Sequence, residues 1–280
     1  MAKSFSPLRY PGGKFKIYKK VKNLIIAKGF DNRMYVEPFA GGFGIGISLL
    51  CEKVVPSVIL NDFDSHIYHF WHSVLNDTDS LLRLIKDTPI TIEEREKQKQ
   101  NYRDLDADTL TDGFATLFLN RVNFSGVLKG GPIGGLDQSG TYKIDCRFNK
   151  EDISRRIEVI AQLKNKIKLY NKDAGYLIRM HLMKMKTPMF LNIDPPYVIK
   201  GSQLYTNFFT EGDHLNLQRI IVKYLDAAYP WIMTYDNCSL VRDLYRRFHM
   251  QEYGINHNAG GTVLGKEIVI TNILSDGFLW

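Results

Sequence analysis

The chain has 280 residues, of which 44% are hydrophobic and 24% are charged. These values are typical of globular proteins and argue against disorder, and the length allows a large α/β domain with an inserted lobe. The first ten residues lack the apolar segment of an export signal, and no apolar run reaches the roughly 18 residues of a membrane span. We therefore expect a cytoplasmic protein with no membrane partner.

The charge of the chain indicates a type of partner, and its cysteines indicate their own redox state. A net charge of +7 and a pI near 9.1 favour a polyanion such as nucleic acid, although a basic protein without such a partner stays an alternative. Cys51, Cys146 and Cys238 are odd in number, far apart and without C-x-x-C spacing. We expect reduced thiols, and neither a disulfide framework nor a zinc knuckle.

Strand-like and helix-like segments alternate in two blocks of the chain. In the first block a helix at 15–27 precedes strands at 34–39 and 58–60, which are followed by helices at 45–51 and 66–75. The second block has predicted strands at 167–170, 189–193, 231–235, 250–255 and 267–274, and helices at 174–183, 213–228 and 239–248. This alternation predicts an α/β fold.

The pattern changes between these two blocks. Thr91 and Glu94 have the spacing of a capping box and predict the start of a charged helix, and a second helix is predicted at 112–120. Six glycines between Gly126 and Gly140 predict an exposed hairpin or loop. We therefore expect a helical and hairpin insertion at 77–149 within a catalytic domain formed by 1–76 and 150–280.

The predicted strand at 189–193 ends in the sequence D-P-P-Y, at residues 194–197. Open α/β sheets place their chemistry at such strand ends. Each proline fixes φ at about −65° and removes an amide donor, so a carboxylate and two carbonyls are presented as acceptors beside Tyr197. A planar group with an exocyclic amine suits this arrangement, and adenine, cytosine and a side-chain amide all qualify. The alternative is an ordinary strand-ending turn.

Two further strand ends carry polar or small residues. The first strand leads into a glycine turn, 37–42, where glycines let a ligand approach the backbone. This turn lacks the G-x-G-x-x-G spacing of a dinucleotide site, and Glu37 suits a cationic ligand better than a phosphate. The second strand ends at Asn61 and Asp62, where Asp62 can accept both hydroxyls of a ribose or cap the next helix. Together these features favour a nucleoside ligand.

Other motifs admit a functional and a structural interpretation. Residues 7–14 combine Arg9, Tyr10 and Lys14 with a tight P-G-G turn that can fold over a small molecule, or simply precede a helix. His66, His69 and His72 are spaced by three residues. They span more than one helical face and lack a cysteine or acidic cluster to complete a tetrahedral set, so we expect no metal site.

Taken in order, these motifs resemble those of the Dam-like (D12 class) DNA adenine-N6 methyltransferases. The resemblance runs nearly end to end, through residues 9–14, 37–42, 61–62 and 194–197, with further matches at 121–126 and 267–272. It implies a Rossmann-like class I methyltransferase sheet with helices on both faces and a smaller DNA-recognition insertion. It also implies S-adenosylmethionine as cofactor, S-adenosylhomocysteine as product, no metal, and a flipped-out adenine in double-stranded DNA as substrate.

The resemblance also implies roles for individual residues. For catalysis these are Asp194, Pro195, Pro196 and Tyr197. For the cofactor they are Tyr10, Lys14, Glu37, Phe39, Ala40, Gly41, Gly42, Asp62, Asp173 and Asp194. For DNA they are Arg121, Asn123 and Lys129. Asp173 has an alternative role as the N-cap of the helix at Ala174.

The sequence departs from the family pattern in the insertion. Ser125 stands where asparagine is expected, and Lys129 stands where several relatives carry the arginine that reads a guanine. Lysine lacks the planar fork of arginine, so the recognition sequence does not carry over. Enzymes that methylate a glutamine amide in protein or an amine in RNA, and a DNA-binding protein with an inactive site, stay alternatives. We expect a monomer in solution, with a cognate restriction endonuclease as an open question.

Overall fold

The computed structural model describes residues 4–9, 14–199, 209–257 and 263–273. Within these residues the strands are Met34–Glu37 (β1), Val58–Asn61 (β2), Ile167–Tyr170 (β3), Met189–Ile193 (β4), Trp231–Asp236 (β5), His249–His257 (β6) and Val263–Thr271 (β7). The α-helices are Tyr18–Ala27 (α1), Gly44–Cys51 (α2), Ser65–Asn76 (α3), Thr78–Asp87 (α4), Ile92–Arg103 (α5), Thr109–Val122 (α6), Lys150–Gln162 (α7), Ala174–Met180 (α8), Glu211–Ile220 (α9) and Ser239–Tyr245 (α10).

The strands form one sheet in the order β3-β2-β1-β4-β5-β7-β6. β1 pairs in parallel with β2 and β4, and β4 pairs in parallel with β5, whereas β7 runs antiparallel to both β5 and β6. Every residue of β1, β2, β4 and β5 is buried, as expected when helices cover both faces of a sheet. The predicted Rossmann-like α/β fold is confirmed, and its antiparallel β7 distinguishes it from an all-parallel sheet.

The two faces of the central strands differ in chemistry. Side chains alternate along a strand, and Val36, Leu191, Met233 and Ile268 belong to one apolar cluster. Residues at the intervening positions include five buried polar side chains near the carboxyl ends of the parallel strands. They are Glu37, Asn192, Thr234, Asp236 and Glu267. The sheet therefore carries a polar row at the edge where open α/β sheets bind ligands.

The chain forms two compact units. The first comprises the described residues of 1–15, 41–52 and 64–169, and contains α2 to α7. The second comprises the described residues of 16–40, 53–63 and 170–280, with β1, β2, β4 to β7, α1 and α8 to α10. The predicted insertion, 77–149, lies inside the first unit. Its boundaries as a recognition domain stay a prediction.

Within the first unit, α3 packs closely against α6 because one position on α6 carries no side chain. A Cβ atom at Gly113 would lie 2.6 Å from Ser73 Oγ and 2.7 Å from the His69 carbonyl oxygen.

Thr91 starts α5 as predicted, since its hydroxyl oxygen accepts a hydrogen bond from Glu94 N at 3.1 Å. The glycine-rich stretch is a loop, with an isolated bridge between Asn123 and Pro132.

The structure also bears on the cysteines and on membrane-spanning helices. Cys51, Cys146 and Cys238 are free thiols, as predicted. Among the described residues, no helix is both long enough and apolar enough to span a bilayer.

Candidate active site

Asn61, at the end of β2, holds three loops of the second unit together. Its side-chain amide donates to Pro38 O at 2.8 Å and to Lys172 O at 2.9 Å, and its oxygen accepts from Lys172 N at 3.0 Å. Its backbone oxygen also accepts from Ala40 N at 2.9 Å. The side chain is fully buried. One asparagine therefore fixes the loops after β1, β2 and β3 relative to each other.

Glu37 ends β1 within a buried hydrogen-bond chain. The Tyr35 hydroxyl donates to Glu37 Oε1 at 2.7 Å and accepts from Asn192 Nδ2 at 2.9 Å. Burial, and then the charge of Glu37, raises the pKa of Tyr35, so this hydroxyl stays protonated and available as a donor. Glu37 is held in one orientation at the strand end, as a binding carboxylate requires.

Four other predicted cofactor residues of the second unit lie on the loops that Asn61 joins: Phe39, Ala40, Asp62 and Asp173. Asp194 follows β4 instead. Phe39 contacts Phe209 edge to face at 5.9 Å between ring centroids. Asp62 follows Asn61, and its backbone oxygen accepts from Asn171 Nδ2 at 2.8 Å. The alternative that Asp62 caps α3 is wrong, because Asp64 is the N-cap and accepts from the His66 amide. Asp62 is therefore not occupied as a helix cap.

Asp173 is the N-cap of α8, which is the alternative role that the sequence suggested for it. Its Oδ1 atom accepts from Tyr176 N at 2.8 Å and caps α8. The carboxylate is exposed, and this hydrogen bond uses one of its two oxygens. Its contact with a cofactor adenine stays a prediction.

The D-P-P-Y sequence follows β4 directly. Asp194 Oδ1 accepts from the Thr234 hydroxyl at 2.7 Å. The Tyr197 ring is 6% exposed, and its hydroxyl donates to Glu267 Oε2 at 2.7 Å. Beyond it, the amides of Val198 and Ile199 donate to Asp236 Oδ1 and Oδ2 at 3.1 and 2.6 Å. The loop is thus fixed at both ends by side chains from β5 and β7.

His214, on α9, packs behind this loop and was not singled out in the sequence. Its Nδ1 atom lies 2.6 Å from the Tyr235 hydroxyl, and the Tyr235 ring lies 6.2 Å from that of Tyr197. Burial lowers the pKa of His214 in spite of nearby carboxylates, so the ring is neutral at physiological pH. Its place in the apolar layer beneath Tyr197 is a packing role.

Gly41, Gly42 and Lys14 belong to the first unit. Gly41 has φ +47°, a conformation that glycine adopts without strain, and its carbonyl accepts from Trp71 Nε1 at 3.1 Å. The Gly42 carbonyl accepts from the Ser6 hydroxyl. Lys14 begins a 3₁₀ turn, whereas Tyr10 lies outside the described residues. Cofactor contacts by these four residues stay predictions.

The residues predicted to contact DNA have different surroundings in the first unit. Asn123 is fully buried, and it accepts from Arg95 Nε at 2.8 Å and donates to the carbonyls of Val127 and Leu128 at 3.0 and 2.9 Å. This side chain shapes the loop after α6. Lys129, on the same loop, is exposed and accessible to a ligand.

Arg121 lies in a cluster of arginines. Burial, together with the positive charges of Arg156 and Arg9, lowers the pKa of Arg121 to about 9. Arg9 is affected in the same way, since burial and then the charge of Arg147 lower its pKa. Among the described residues, Arg121 Nε and Arg9 Nη1 are buried without a hydrogen-bond partner. Asp152, which lies 2.7 Å from Arg156 Nη2, offsets part of this positive charge. The two unpaired nitrogens still carry a desolvation cost that a bound anion would reduce.

The histidines on α3 contact carboxylates. His66 Nδ1 and His69 Nδ1 each lie 2.7 Å from a different oxygen of Asp112, and the His66 ring stacks on Tyr102 at 3.9 Å. His72 Nδ1 lies 3.4 Å from Asp77 Oδ2. Because His66 and His69 both direct Nδ1 at one carboxylate, their Nε2 atoms lie on the far sides of the rings. In the part of the chain that the structure describes, no group of three or more histidine, cysteine, aspartate or glutamate side chains is arranged to hold a metal ion.

The sheet order and the polar strand ends define a Rossmann-like α/β fold with its candidate site at the carboxyl edge. Residues 10–256 match the family of D12 class N6 adenine-specific DNA methyltransferases. The chain belongs to this family, and it is a DNA adenine methyltransferase. The resemblance inferred from the sequence motifs is confirmed.

Three methyltransferases among the relatives are similar along most of their length. The type II methyltransferase M1.LlaDCHI of Lactococcus lactis subsp. cremoris is 26% identical, covering 94% of this chain and 94% of that protein. M.MjaIII of Methanocaldococcus jannaschii, another type II methyltransferase, is 24% identical, with 88% and 89% covered. The retron Ec67 DNA adenine methylase of Escherichia coli is 24% identical, with 86% and 80% covered.

The comparison with solved structures includes a match to the rRNA methyltransferase aviRa from Streptomyces viridochromogenes. It is 11% identical to this chain, with a TM-score of 0.42 and coverage of 94% of this chain and 86% of that chain.

Sequence reasoning missed several residues that shape the site. The sequence motif that contains Asn61 indicates no role for this residue, and no motif indicates a role for Thr234 or Asp236. All are polar residues inside or at the end of apolar strands. A polar residue in a fully buried strand requires a hydrogen-bond partner, and this is the signal that could have identified them.

Proposed function

We propose that the chain moves the methyl group of S-adenosylmethionine to N6 of an adenine flipped out of double-stranded DNA, at a specific recognition sequence. The observation that carries this proposal is the D-P-P-Y loop at the end of β4, whose Asp194 and Tyr197 are each fixed by a hydrogen bond of 2.7 Å. Fixed acceptors beside an aromatic ring suit an exocyclic amine.

The residues at the neighbouring strand ends fit S-adenosylmethionine by their chemistry. Carboxylates end β1 and follow β2, at Glu37 and Asp62, where they suit a cationic group and the hydroxyls of a ribose. Phe39, Ala40 and Asp173 lie on the loops that Asn61 holds together. When bound, this cofactor supplies an activated methyl on a positively charged sulfur. For Tyr10, Lys14, Gly41 and Gly42, the cofactor contact is proposed from the motif match.

The target nitrogen is a poor nucleophile because its lone pair is delocalised into the adenine ring. Hydrogen bonds from N6 to the Asp194 carboxylate and the Pro195 carbonyl would favour a tetrahedral nitrogen and direct its lone pair. Pro196 keeps the loop rigid, and Tyr197 provides an aromatic ring beside the flipped-out adenine. Asp194 or water accepts the proton that N6 loses. The protein thus acts by positioning and electrostatics, and the proposal assigns no metal.

Flipping the base costs a few kcal/mol, which DNA contacts must offset. We assign these contacts to the first unit, with 77–149 as the recognition insertion. Arg9 is half-buried and Arg121 is buried, and each has a guanidinium nitrogen without a hydrogen-bond partner that suits a phosphate oxygen. The exposed Lys129 is the candidate for a base contact. Asn123 acts indirectly, by shaping the loop that carries Lys129.

The biological setting is proposed from the relatives. Two of them are type II methyltransferases by name. The relatives therefore support a cognate restriction endonuclease as a partner. The cytoplasmic location and the monomeric state stay expectations from the sequence.

The test is to incubate the purified protein with radiolabelled S-adenosylmethionine and unmethylated genomic DNA, digest the DNA to nucleosides, and map modified positions by sequencing. We expect label in N6-methyladenine at one defined sequence. The variant Asp194→Ala should lose this activity, and Asp243→Ala, at an exposed aspartate on α10, should retain it. Label in RNA or in protein glutamine, with none in DNA, would overturn the proposed substrate.

A further inference from the structure

Two carboxyl groups face each other across the antiparallel strands β5 and β7. Asp236 is the register partner of Glu267, and the two residues are 7% and 3% exposed. Acidic residues directly opposite one another destabilise a sheet, and burial increases the cost. The pair is therefore poorly explained by stability alone.

The hydrogen bonds of these two carboxyl groups point to one segment. Asp236 accepts from the amides of Val198 and Ile199. Glu267 accepts at the same oxygen from the hydroxyls of Tyr197 and Tyr253, each at 2.7 Å. Both carboxyl groups thus hold the end of the D-P-P-Y loop. Thr234, two residues before Asp236 on the same face of β5, holds its beginning through Asp194.

The sequence of the loop explains why it needs external support. Pro195 and Pro196 have no amide hydrogen, so the middle of the loop has no backbone donor with which to anchor itself. Its fixed points must be at its ends. The hydroxyl of Thr234 fixes the first end, and the two carboxyl groups fix the second.

We propose that Thr234, Asp236 and Glu267 are positioning residues for methyl transfer, which set the geometry of the D-P-P-Y loop. Thr234 orients the Asp194 carboxylate, Glu267 sets the rotation and tilt of the Tyr197 ring, and Asp236 fixes the chain just beyond it. This inference rests on the proposed function of the loop. It adds that strands β5 and β7, which the proposal leaves without a catalytic role, determine how well the base is held.

The test compares turnover with binding, after the wild-type protein has been shown to methylate adenine in DNA. Thr234→Val removes the hydroxyl and keeps the side-chain shape, and misplacing a reacting group by about 1 Å costs on the order of 100-fold. We expect kcat to fall by roughly 10- to 100-fold. The dissociation constants for DNA and for S-adenosylmethionine should stay within about twofold of wild type, a difference below 0.5 kcal/mol. Thr234→Ser, which restores the hydroxyl, should recover most of kcat.

The matched control is Thr271→Val, because Thr271 lies on the same face of β7 as Glu267. Thr271 is also buried, and its hydroxyl donates to the Trp231 carbonyl at 2.6 Å, at the opposite end of the strand pair. This variant removes a comparable hydrogen bond and should change thermal stability more than kcat. Equal losses of kcat in Thr234→Val and Thr271→Val would show a merely structural effect and overturn the proposal.

Three further variants test the second end of the loop. Asp236→Asn leaves one acceptor oxygen for two amide donors, and Glu267→Met removes the acceptor for Tyr197, whereas Glu267→Gln keeps one. With 2-aminopurine at the methylated position, the first two should reduce the fluorescence change on base flipping, and Glu267→Gln should recover part of it. An unchanged signal together with wild-type kcat in Glu267→Met would overturn the role of Glu267. Failure of the wild-type protein to methylate DNA would instead refute the proposed function.

Discussion

Replacing Asn61 should separate the three loops on which the proposed cofactor site depends. Asn61→Ala deletes two donated hydrogen bonds and one accepted bond, of 2.8 to 3.0 Å, in a fully buried position. At a net value near 1 kcal/mol for each bond, the free energy of unfolding should fall by about 3 kcal/mol. For a chain of this size each kcal/mol lowers the Tm by 2–4 °C, so the expected decrease is roughly 6–12 °C.

The same substitution should weaken cofactor binding, because the loops that carry Phe39, Asp62 and Asp173 would no longer share one anchor. We expect the dissociation constant for S-adenosylmethionine to rise by roughly tenfold, which corresponds to about 1.4 kcal/mol. Asn61→Asp should be at least as harmful. It preserves the shape but places an oxygen opposite the carbonyls of Pro38 and Lys172, which then have no donor.

Differential scanning calorimetry and isothermal titration with S-adenosylmethionine measure the two effects. The matched control is Asn76→Ala, since Asn76 is an exposed asparagine at the end of α3 with one hydrogen bond, to His72 O. It should change the free energy of unfolding by less than about 0.5 kcal/mol. A Tm decrease below 2 °C in Asn61→Ala, with unchanged cofactor affinity, would refute the reasoning.

Three other predictions concern chemistry, recognition and pH. Asp194→Ala should abolish turnover and leave DNA affinity largely intact in a gel-shift assay, and near wild-type turnover would contradict the proposed role. Lys129→Ala should change the methylated sequence if the lysine reads a base, whereas a uniform loss of affinity with a smaller salt slope would identify a phosphate contact. Burial opposes the charged ring of His66, but the hydrogen bond and charge of Asp112 outweigh it and raise the pKa of His66. The stabilisation is therefore present at low pH and lost as pH rises through that pKa, so Asp112→Asn should destabilise the protein more at pH 5.5 than at pH 8.5, as urea unfolding can measure.

The sheet could be predicted because its central strands are buried on both faces. Such strands are continuous apolar runs, and the predicted bounds of β4, 189–193, agree with the structure. The overlooked α7 had comparable signals, since Asn149 caps it and Ile153, Ile157 and Ile160 recur at helical spacing. That helix was missed in spite of adequate evidence in the sequence.

The site was only partly predictable, because its supporting contacts join residues that are distant in sequence. Asn61 contacts Lys172 across 111 positions, and Tyr197 contacts Glu267 across 70. No local pattern contains such a pair. Asn123 shows the converse case, because the family motif suggests a ligand contact and the structure adds hydrogen bonds by which this side chain shapes its own loop. Motifs identified where chemistry is expected, but not which members of each motif are structural.

The antiparallel strand β7 gives the sheet a feature that an all-parallel arrangement would lack. Because β7 runs opposite to β5, its first half lies at the edge where β5 ends, and Glu267 is brought opposite Asp236. A loop with two consecutive prolines needs acceptors and donors from outside itself, and this edge supplies them. The buried carboxyl pair is a local cost in stability that the function of the D-P-P-Y loop explains. We therefore expect substitutions of these residues of β5 and β7 to lower kcat with little effect on binding, whereas substitutions at the ends of β1 and β2 should weaken binding of the cofactor.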